Sequence, residues 1–232
     1  MSNFPPAEPH GPIEEIFTDA YWVTGSVQFK PLVRLARNMI ILRNGDELTL
    51  VNAVRLNEEG EAALAKLGTV KHVIKIGFHG MDDAYYIDRY GAKYWAVPRE
   101  GETGDVELAE DTELPIPNAR VFMFRDTKLP EAALLLEREG GLLITCDSIQ
   151  HWAPHRLMSG PAKLITRIMG FRFPAQIGPP WRGAQTPEGG SLKADFERLA
   201  QLPFSHIVGG HGGLLKDDGQ ARLAETMTRV FG

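Results

Sequence analysis

The feature that most constrains the fold is a series of short apolar segments rich in β-branched and aromatic residues. Such segments are typical of β-strands, and turn residues separate most of them. In chain order they lie at 13–27, 38–43, 48–51, 72–78, 94–97, 121–124, 132–136, 142–145 and 206–208. The sequence Asn44-Gly45-Asp46 between the second and third segments is typical of a hairpin turn. The sequence therefore predicts a fold rich in β-structure.

Helical patterns alternate with several of these strands. Residues 57–67 place Leu64 and Leu67 three positions apart, and Gly68 follows as a C-cap. Further helices are predicted at 82–90, 162–169, 191–202 and 218–230. The segment 171–190 is rich in proline and glycine, and we expect it to form a long loop that covers a site. Strands followed by helices indicate an α/β (α+β) fold, with helices outside a β core.

The composition limits the classes of protein to which the chain can belong. Its 232 residues are 43% hydrophobic and 24% charged, as in ordinary globular proteins. We expect one domain at 1–232 with a flexible N-terminal lead at 1–12. The net charge of -5 predicts that neither nucleic acid nor an anionic membrane is a partner. No apolar stretch has the length of a signal peptide or membrane span, so a cytoplasmic protein is expected.

Side chains that commonly bind metals follow three of the predicted strands. His79 and Asp83 follow the fourth segment, Asp147 follows the eighth, and His211 follows the last, between two pairs of glycines. A β core with outer helices gathers the loops from strand ends at one rim. Zinc, iron and manganese accept the nitrogen and oxygen donors of these residues. The sequence therefore predicts a site at this rim for a divalent metal and a small-molecule substrate.

Four sequence landmarks occur in a characteristic order. They are Phe78-His79-Gly80-Met81-Asp82-Asp83-Ala84, Asp126-Thr127-Lys128-Leu129-Pro130-Glu131, Leu143-Ile144-Thr145-Cys146-Asp147 and Gly209-Gly210-His211-Gly212. In this order they resemble the metallo-β-lactamase fold superfamily of hydrolases, whose landmarks are a His-x-His-x-Asp-His loop, a Gly-His-Thr-Pro-Gly-like loop, a Gly-Asp after a strand and a final Gly-His. The resemblance spans 14–230. It implies a four-layer αββα sandwich, in which two mixed sheets pack face to face with helices outside.

The resemblance also implies that part of the family's metal site is missing. Met81 and Ala84 stand where the first loop has its second and third histidines, and Lys128 stands where the second loop has a histidine. The positions that match the family's metal ligands are His79, Asp83, Asp147 and His211. With three ligands replaced, a centre of two metals is not expected.

Two interpretations of this site are compatible with the resemblance. In the first, Asp83, Asp147 and His211 hold one zinc, iron or manganese ion, with His79 as a further ligand candidate, and an activated water attacks an ester, lactone, thioester or phosphoester. His79 or Lys128 then stabilises the developing oxyanion. In the second, no metal is held. The Lys128 ammonium replaces a metal beside Asp147, and the protein is a pseudoenzyme or a small-molecule binding protein.

Some candidate residues also have a purely structural interpretation. Asp83 falls in the first turn of the helix predicted at 82–90, where a carboxylate satisfies free N–H groups. Asp147 after its strand would likewise cap the next turn, and Lys128 on a rim loop would be an ordinary solvated charge. The aromatic residues expected to be exposed in the 171–190 loop indicate a homodimer.

Other donors near the landmarks have weaker support. The single cysteine, Cys146, excludes an internal disulfide framework. Because Cys146 precedes Asp147 in an extended segment, the two side chains point in opposite directions, and we expect a buried, inert thiol. His151 and His155 are alternative ligands, but Pro154 interrupts the helix that would place them on one face.

Overall fold

Two large β-sheets form the centre of the computed structural model, which describes residues 4–101 and 103–232. The strands of the first sheet lie in sequence order: β1 (Glu14–Phe17), β2 (Ala20–Lys30), β3 (Val33–Asn44), β4 (Glu47–Val51), β5 (Thr69–Lys75), β6 (Lys93–Ala96) and β7 (Val106–Glu107). The strands of the second sheet are β8 (Ala119–Met123), β9 (Ala132–Leu136), β10 (Leu142–Ile144), β13 (His206–Val208) and β14 (Leu214–Leu215), in the order β14-β13-β10-β9-β8. A small third sheet pairs β11 (Ile149–Gln150) with β12 (Gln176–Ile177).

Six helices within the described ranges surround the sheets. They are α1 (Glu58–Leu67), α2 (Asp83–Tyr90), α3 (Gly160–Ile168), α4 (Pro179–Gln185), α5 (Lys193–Leu199) and α6 (Gly219–Phe231). None of these helices combines the length and the apolar character that a membrane crossing requires.

Alternating apolar side chains bury both faces of the sheets. In β9, Leu134 and Leu136 point into the core between the two sheets, whereas Leu135 points to the outer face of the second sheet. Helices α1 and α2 cover the outer face of the first sheet, where Leu64 and Tyr86 are buried. Helices α4, α5 and α6 cover the outer face of the second sheet. This arrangement confirms the predicted four-layer αββα sandwich.

The pairing of the strands places several strand ends at one rim. Strands β10 and β13 are parallel, with Leu142 opposite His206 and Ile144 opposite Val208, so both chains leave the second sheet at the same edge. The first sheet is tied to this edge, because the Asn52 side chain donates to the Thr145 carbonyl oxygen at 3.2 Å. The loops after β5, β10 and β13 are thereby brought close together.

The segment 171–190 contains more regular structure than its composition predicted. It includes β12 and α4, because the prolines at 179 and 180 occupy the first turn of α4, where a helix needs no backbone N–H donor. The Trp181 ring of this helix packs edge-on against the rings of Phe124 and Phe196. The segment therefore belongs mainly to the outer layer of the second sheet.

The N-terminal lead contacts the first sheet. The Gly11 N–H donates to the Thr24 carbonyl oxygen at 2.8 Å, and the Ser26 hydroxyl donates to the Pro9 carbonyl oxygen at 2.8 Å. Residues 1–3 of the predicted lead lie outside the described residues.

Candidate functional site

The loops after β5, β10 and β13 bring His79, Asp147 and His211 together. His79 Nε2 lies 3.2 Å from Asp147 Oδ1 and 3.1 Å from Oδ2, and His211 Nε2 lies 3.5 Å from Oδ1. The two imidazole rings meet edge to face, with their centroids 4.6 Å apart. The side chains of His79 and Asp147 are 22% and 24% exposed, so a small molecule can reach them from solvent.

A neighbouring amide holds the Asp147 carboxylate in place. The Gln150 Nε2 donates to Asp147 Oδ1 at 2.9 Å. Gln150 itself is buried in β11, where it pairs with Gln176 of β12. A carboxylate anchored by a buried donor keeps one orientation, which is the usual arrangement around metal-binding and catalytic carboxylates.

Glycines allow the His211 loop to approach the other two residues. A Cβ atom at Gly210 would lie 3.2 Å from His79 Cδ2 and 3.1 Å from the Cys146 carbonyl oxygen. Gly212 has a φ of +83°, and a Cβ there would lie 2.3 Å from the His151 carbonyl oxygen. The close packing thus requires glycine at 212 and leaves little room for a side chain at 210.

The His211 imidazole is fixed from the opposite side. Its Nδ1 bonds the backbone carbonyl oxygen of Ala36 in β3, which leaves Nε2 directed at Asp147. The loop itself is held by Asn38, whose side-chain amide donates to the carbonyl oxygens of Gly209 and Gly212, each at 3.0 Å. A histidine whose Nδ1 bonds a backbone carbonyl presents Nε2 as a ligand or acceptor.

The charges of the cluster are coupled. Burial opposes ionisation of Asp147, but the charge and hydrogen bond of His79 and the charge of His211 outweigh it and lower the pKa of this carboxyl to about 2. Burial acts to lower the pKa of His79, but the charge and hydrogen bond of Asp147 prevail and raise it. Burial and the charge of His79 lower the pKa of His211. In the metal-free protein, at a pH between the lowered pKa of His211 and the raised pKa of His79, Asp147 and His79 thus form an ion pair beside a neutral His211.

We predict that replacing Asp147 with asparagine lowers the pKa of His79 in the metal-free protein. The carboxylate is what keeps this imidazole protonated against burial, so the pKa should fall from above 6.5 to below it. NMR titration of the imidazole C–H signals in chelator-treated protein measures this, with His79→Gln to assign the signal. Asp83→Asn is the control, since Asp83 contributes less to the pKa of His79 than Asp147 does, and it should shift the titration less. An unchanged titration in Asp147→Asn would contradict the ion pair.

The structure places Asp83 and Lys128 differently from the other candidates. Asp83 is buried in the first turn of α2, and its Oδ2 and the Lys75 side chain both lie against Gly80. Lys128 is exposed, and its backbone N–H donates to the Gln185 carbonyl oxygen at 2.9 Å. No ion pair joins the Lys128 ammonium to a carboxylate of residues 4–101 or 103–232. The basic side chain that pairs with Asp147 is that of His79.

Two further buried groups adjoin the cluster. Cys146 is fully buried in the core between the sheets, and its ligand atom lies within 4.8 Å of donor atoms of His79 and Asp147. Burial, followed by the charges of Asp147 and Glu131, raises the pKa of the thiol. Glu131 is also fully buried, and its contacts with Trp181 and the Asp147 backbone fall outside ordinary hydrogen-bond geometry.

The other histidines of this region do not join the cluster. His151 forms β-bridges with Gly212 and Gly213, and His155 Nδ1 accepts a hydrogen bond from the Leu157 N–H at 3.3 Å. Within the ranges that the structure describes, no hydrogen bond or ion pair joins either imidazole to Asp147. The Trp152 ring lies beside His211, with its centroid 6.3 Å from that of the His211 ring and 4.4 Å from that of the Phe171 ring.

Comparisons with known proteins identify the fold. No family model and no curated protein matches the sequence. Among solved structures, VMB-1 has a TM-score of 0.64 and 13% sequence identity over 95% of this chain and 97% of its own. The mono-zinc form of the metallo-β-lactamase FIM-1 from Pseudomonas aeruginosa has a TM-score of 0.64 and 13% identity over 97% of both chains. A metallo-β-lactamase from Erythrobacter litoralis has a TM-score of 0.63 and 11% identity over 94% of this chain and 92% of its own. The chain therefore has the metallo-β-lactamase fold.

Proposed function

We propose that this protein is a hydrolase that depends on one divalent metal ion, bound by His79, Asp147 and His211. The observation that carries the proposal is the position of the Asp147 carboxylate, which contacts both imidazoles at once. The proposed set replaces Asp83 with His79, because Asp83 lies against Gly80 and Lys75 instead. Zinc, iron and manganese all accept two imidazoles and one carboxylate.

The two distances from Asp147 to the imidazoles fit a single ion, although the ligand atoms that all lie within 4.8 Å of one another are those of His79, Cys146 and Asp147 and do not include those of His211. Ligands of one tetrahedral ion with bonds of about 2.0–2.1 Å lie about 3.3 Å from one another. The Asp147 oxygens lie 3.1 Å from His79 Nε2 and 3.5 Å from His211 Nε2. The anchoring of His211 Nδ1 on the Ala36 carbonyl oxygen and of Asp147 on Gln150 supplies the surrounding hydrogen bonds that metal ligands require.

Cys146 is the competing third ligand. Its sulfur lies within 4.8 Å of donors of His79 and Asp147. However, the side chain packs in the apolar core between the sheets, against Gly77, where a bound ion would lie away from solvent. We therefore favour His211, and the variants below separate the two assignments.

The reaction class follows from the donor set. A divalent ion with three protein ligands and an open position lowers the pKa of water to about 7, which is the chemistry that hydrolysis of an ester, lactone, thioester or phosphoester requires. The residues of the chain orient this site: Gln150 fixes the carboxylate, and Asn38 and Ala36 fix the His211 loop. The Trp152 ring lies beside His211 and packs against the ring of Phe171, so it forms an apolar wall on that side of the cluster.

The first experiment is elemental analysis of untagged protein purified without added metal or chelator, together with thermal unfolding before and after EDTA. We expect about one zinc, iron or manganese ion per chain and a lower Tm after EDTA, because a ligand that binds only the folded state stabilises it. The loaded protein is then screened for hydrolysis of model esters, lactones, thioesters and phosphoesters, with Asp147→Ala as the inactive control.

Single variants test the ligand assignment. Asp147→Ala should abolish metal retention, and His79→Ala and His211→Ala should each reduce it by about tenfold or more. Asp83→Asn and Lys128→Met are the controls and should retain the metal. If His211→Ala retains the metal and Cys146→Ser loses it, the third ligand is the Cys146 sulfur and not His211. A metal that survives Asp147→Ala would contradict the site itself.

A metal-free binding protein is the second candidate function, and one observation favours it. The ion pair between His79 and Asp147 already compensates the buried carboxylate without any metal. In this form His79, and not Lys128, supplies the positive charge, and the protein binds a small molecule without reaction. Absence of metal after incubation with divalent ions, together with an unchanged Tm after EDTA, would support this function over the hydrolase.

A further inference from the structure

Helix α3 exposes its apolar side chains and buries its small ones. Ala162 and Thr166 face inwards and are 0% and 4% exposed. Leu164, Ile165 and Ile168 are 61%, 40% and 72% exposed, and Met169 at the end of the helix is 44% exposed. A helix on the surface of a globular protein normally buries its apolar stripe. This helix has the opposite arrangement, which indicates that its outer face has a partner.

The tip of the hairpin between β2 and β3 extends this apolar surface. Phe29 is 63% exposed and Leu32 is 81% exposed. The hairpin tip is joined to the start of α3 by Ser159, whose hydroxyl donates to the Leu32 carbonyl oxygen at 2.8 Å and accepts from the Arg34 N–H at 3.1 Å. An open groove between them is lined by both elements. We call this surface the apolar face; it consists of Phe29, Leu32, Leu164, Ile165, Ile168 and Met169.

Exposed lysines and arginines flank the apolar face, although the whole chain is acidic. The chain carries a net charge of -5, yet no aspartate or glutamate occurs between Asp147 and Glu188 or between Asp19 and Asp46. The exposed cations of these two stretches near the face are Lys30, Lys163, Arg167 and Arg172. The net charge of the whole chain, which predicted that an anionic membrane is not a partner, therefore does not describe the local charge of this surface.

We propose that the apolar face docks on the surface of a lipid bilayer that contains anionic lipids. Exposed leucine, isoleucine and phenylalanine side chains enter the boundary between headgroups and acyl chains, and flanking lysines and arginines bind anionic headgroups. A second copy of this chain fits less well, because a symmetric contact would place the cations of one face against those of the other. Nucleic acid would leave the exposed aliphatic side chains without a partner. The proposal does not depend on the metal site.

The test is sedimentation of the full chain with phosphatidylcholine vesicles, with and without phosphatidylglycerol. We expect binding only to the anionic vesicles, weakened by salt. The variant Lys163→Glu with Arg167→Glu should bind about tenfold or more weakly, and Leu164→Asn with Ile168→Asn should do the same. The matched control is Lys66→Glu with Lys193→Glu, which makes the same change in net charge at exposed positions on α1 and α5 and should bind as the wild type does.

Other outcomes would overturn the proposal. Equal binding by all variants would show that the apolar face is not the contact. Absence of vesicle binding, together with a dimer in light scattering that Leu164→Asn with Ile168→Asn dissociates, would assign the face to a second copy. Because every substituted side chain is exposed, circular dichroism should show that all variants keep the wild-type fold. If one double variant of the apolar face loses the fold, the other double variant provides the test.

Discussion

Replacing Asn38 with alanine should lower the free energy of unfolding by about 3 kcal/mol. The Asn38 side chain is 1% exposed and bonds three other groups. Its amide donates to the carbonyl oxygens of Gly209 and Gly212, and its Oδ1 accepts from the Thr24 hydroxyl at 3.0 Å. Alanine leaves one buried carbonyl oxygen, one half-buried carbonyl oxygen and one buried hydroxyl without these partners, and a buried group without its partner costs about 1–3 kcal/mol.

The same substitution should also weaken the proposed metal site. The two carbonyl oxygens that Asn38 holds flank His211 in the loop, and the Asn38 backbone N–H holds the Gly210 carbonyl oxygen at 2.8 Å. Alanine keeps the backbone bond and removes the side-chain bonds, so His211 loses part of its orientation. Loss of such support around a ligand reduces metal affinity by about 10–100-fold.

Urea unfolding with and without EDTA separates the two effects. Asn38→Ala should lose stability in both conditions, and the loss should be larger without EDTA if the metal contributes. Thr24→Val is the matched control, since it removes only the hydrogen bond to Asn38 Oδ1 and should cost about 1 kcal/mol. An Asn38→Ala protein as stable as the wild type would show that the loop holds its position without this side chain.

The fold could be predicted because its signals are local and occur in order. Every predicted strand and helix overlaps an observed one, and the four landmarks indicated the αββα sandwich. The apolar run of β9, which is buried on both faces, and the Asn44-Gly45-Asp46 turn are patterns within a few residues. The secondary structure of residues 171–190 was predicted less well. Two adjacent prolines are compatible both with the end of a helix and with the first turn of a new one.

The site was predicted in position but not in its contacts. The strand ends predicted that His79, Asp147 and His211 lie at one rim, whereas the conformation of the loops determines which of them touch. Asn38 contacts a loop 174 residues away, and no local pattern reports such a contact. The available signal was the pair Arg37-Asn38 inside the apolar strand β3, since polar residues buried in a strand need partners.

Replacing Glu131 with glutamine should make the protein more stable at pH 9 and leave it nearly unchanged at pH 5. Burial, followed by the charge of Asp147, raises the pKa of the Glu131 carboxyl to about 8, although Trp181 and Arg99 act in the opposite direction. The folded state therefore holds this proton to a higher pH than the unfolded chain does. The free energy of unfolding then falls as the pH rises from about 4.5 to about 8, by on the order of 4 kcal/mol.

Glutamine resembles the protonated acid in shape and cannot ionise. Glu131→Gln should remove most of this pH dependence in chelator-treated protein, measured by urea unfolding between pH 5 and pH 9. Glu188→Gln, at an exposed position, controls for the loss of one carboxyl group. Wild-type stability that does not fall between pH 5 and pH 9, or a Glu131→Gln protein that is less stable throughout, would show that the buried carboxyl is ionised.

The two buried carboxyls differ in their partners, and this difference determines which one ionises. Asp147 has the His79 cation 3.1 Å away and a hydrogen bond from Gln150, so its ionised form is stabilised. The Glu131 carboxyl has only weak contacts with Trp181 and the Asp147 backbone, outside ordinary hydrogen-bond geometry, and it faces the negative charge of Asp147. Removing that charge with Asp147→Asn should therefore lower the pKa of Glu131 and reduce the loss of stability above pH 5, as measured by the same unfolding series.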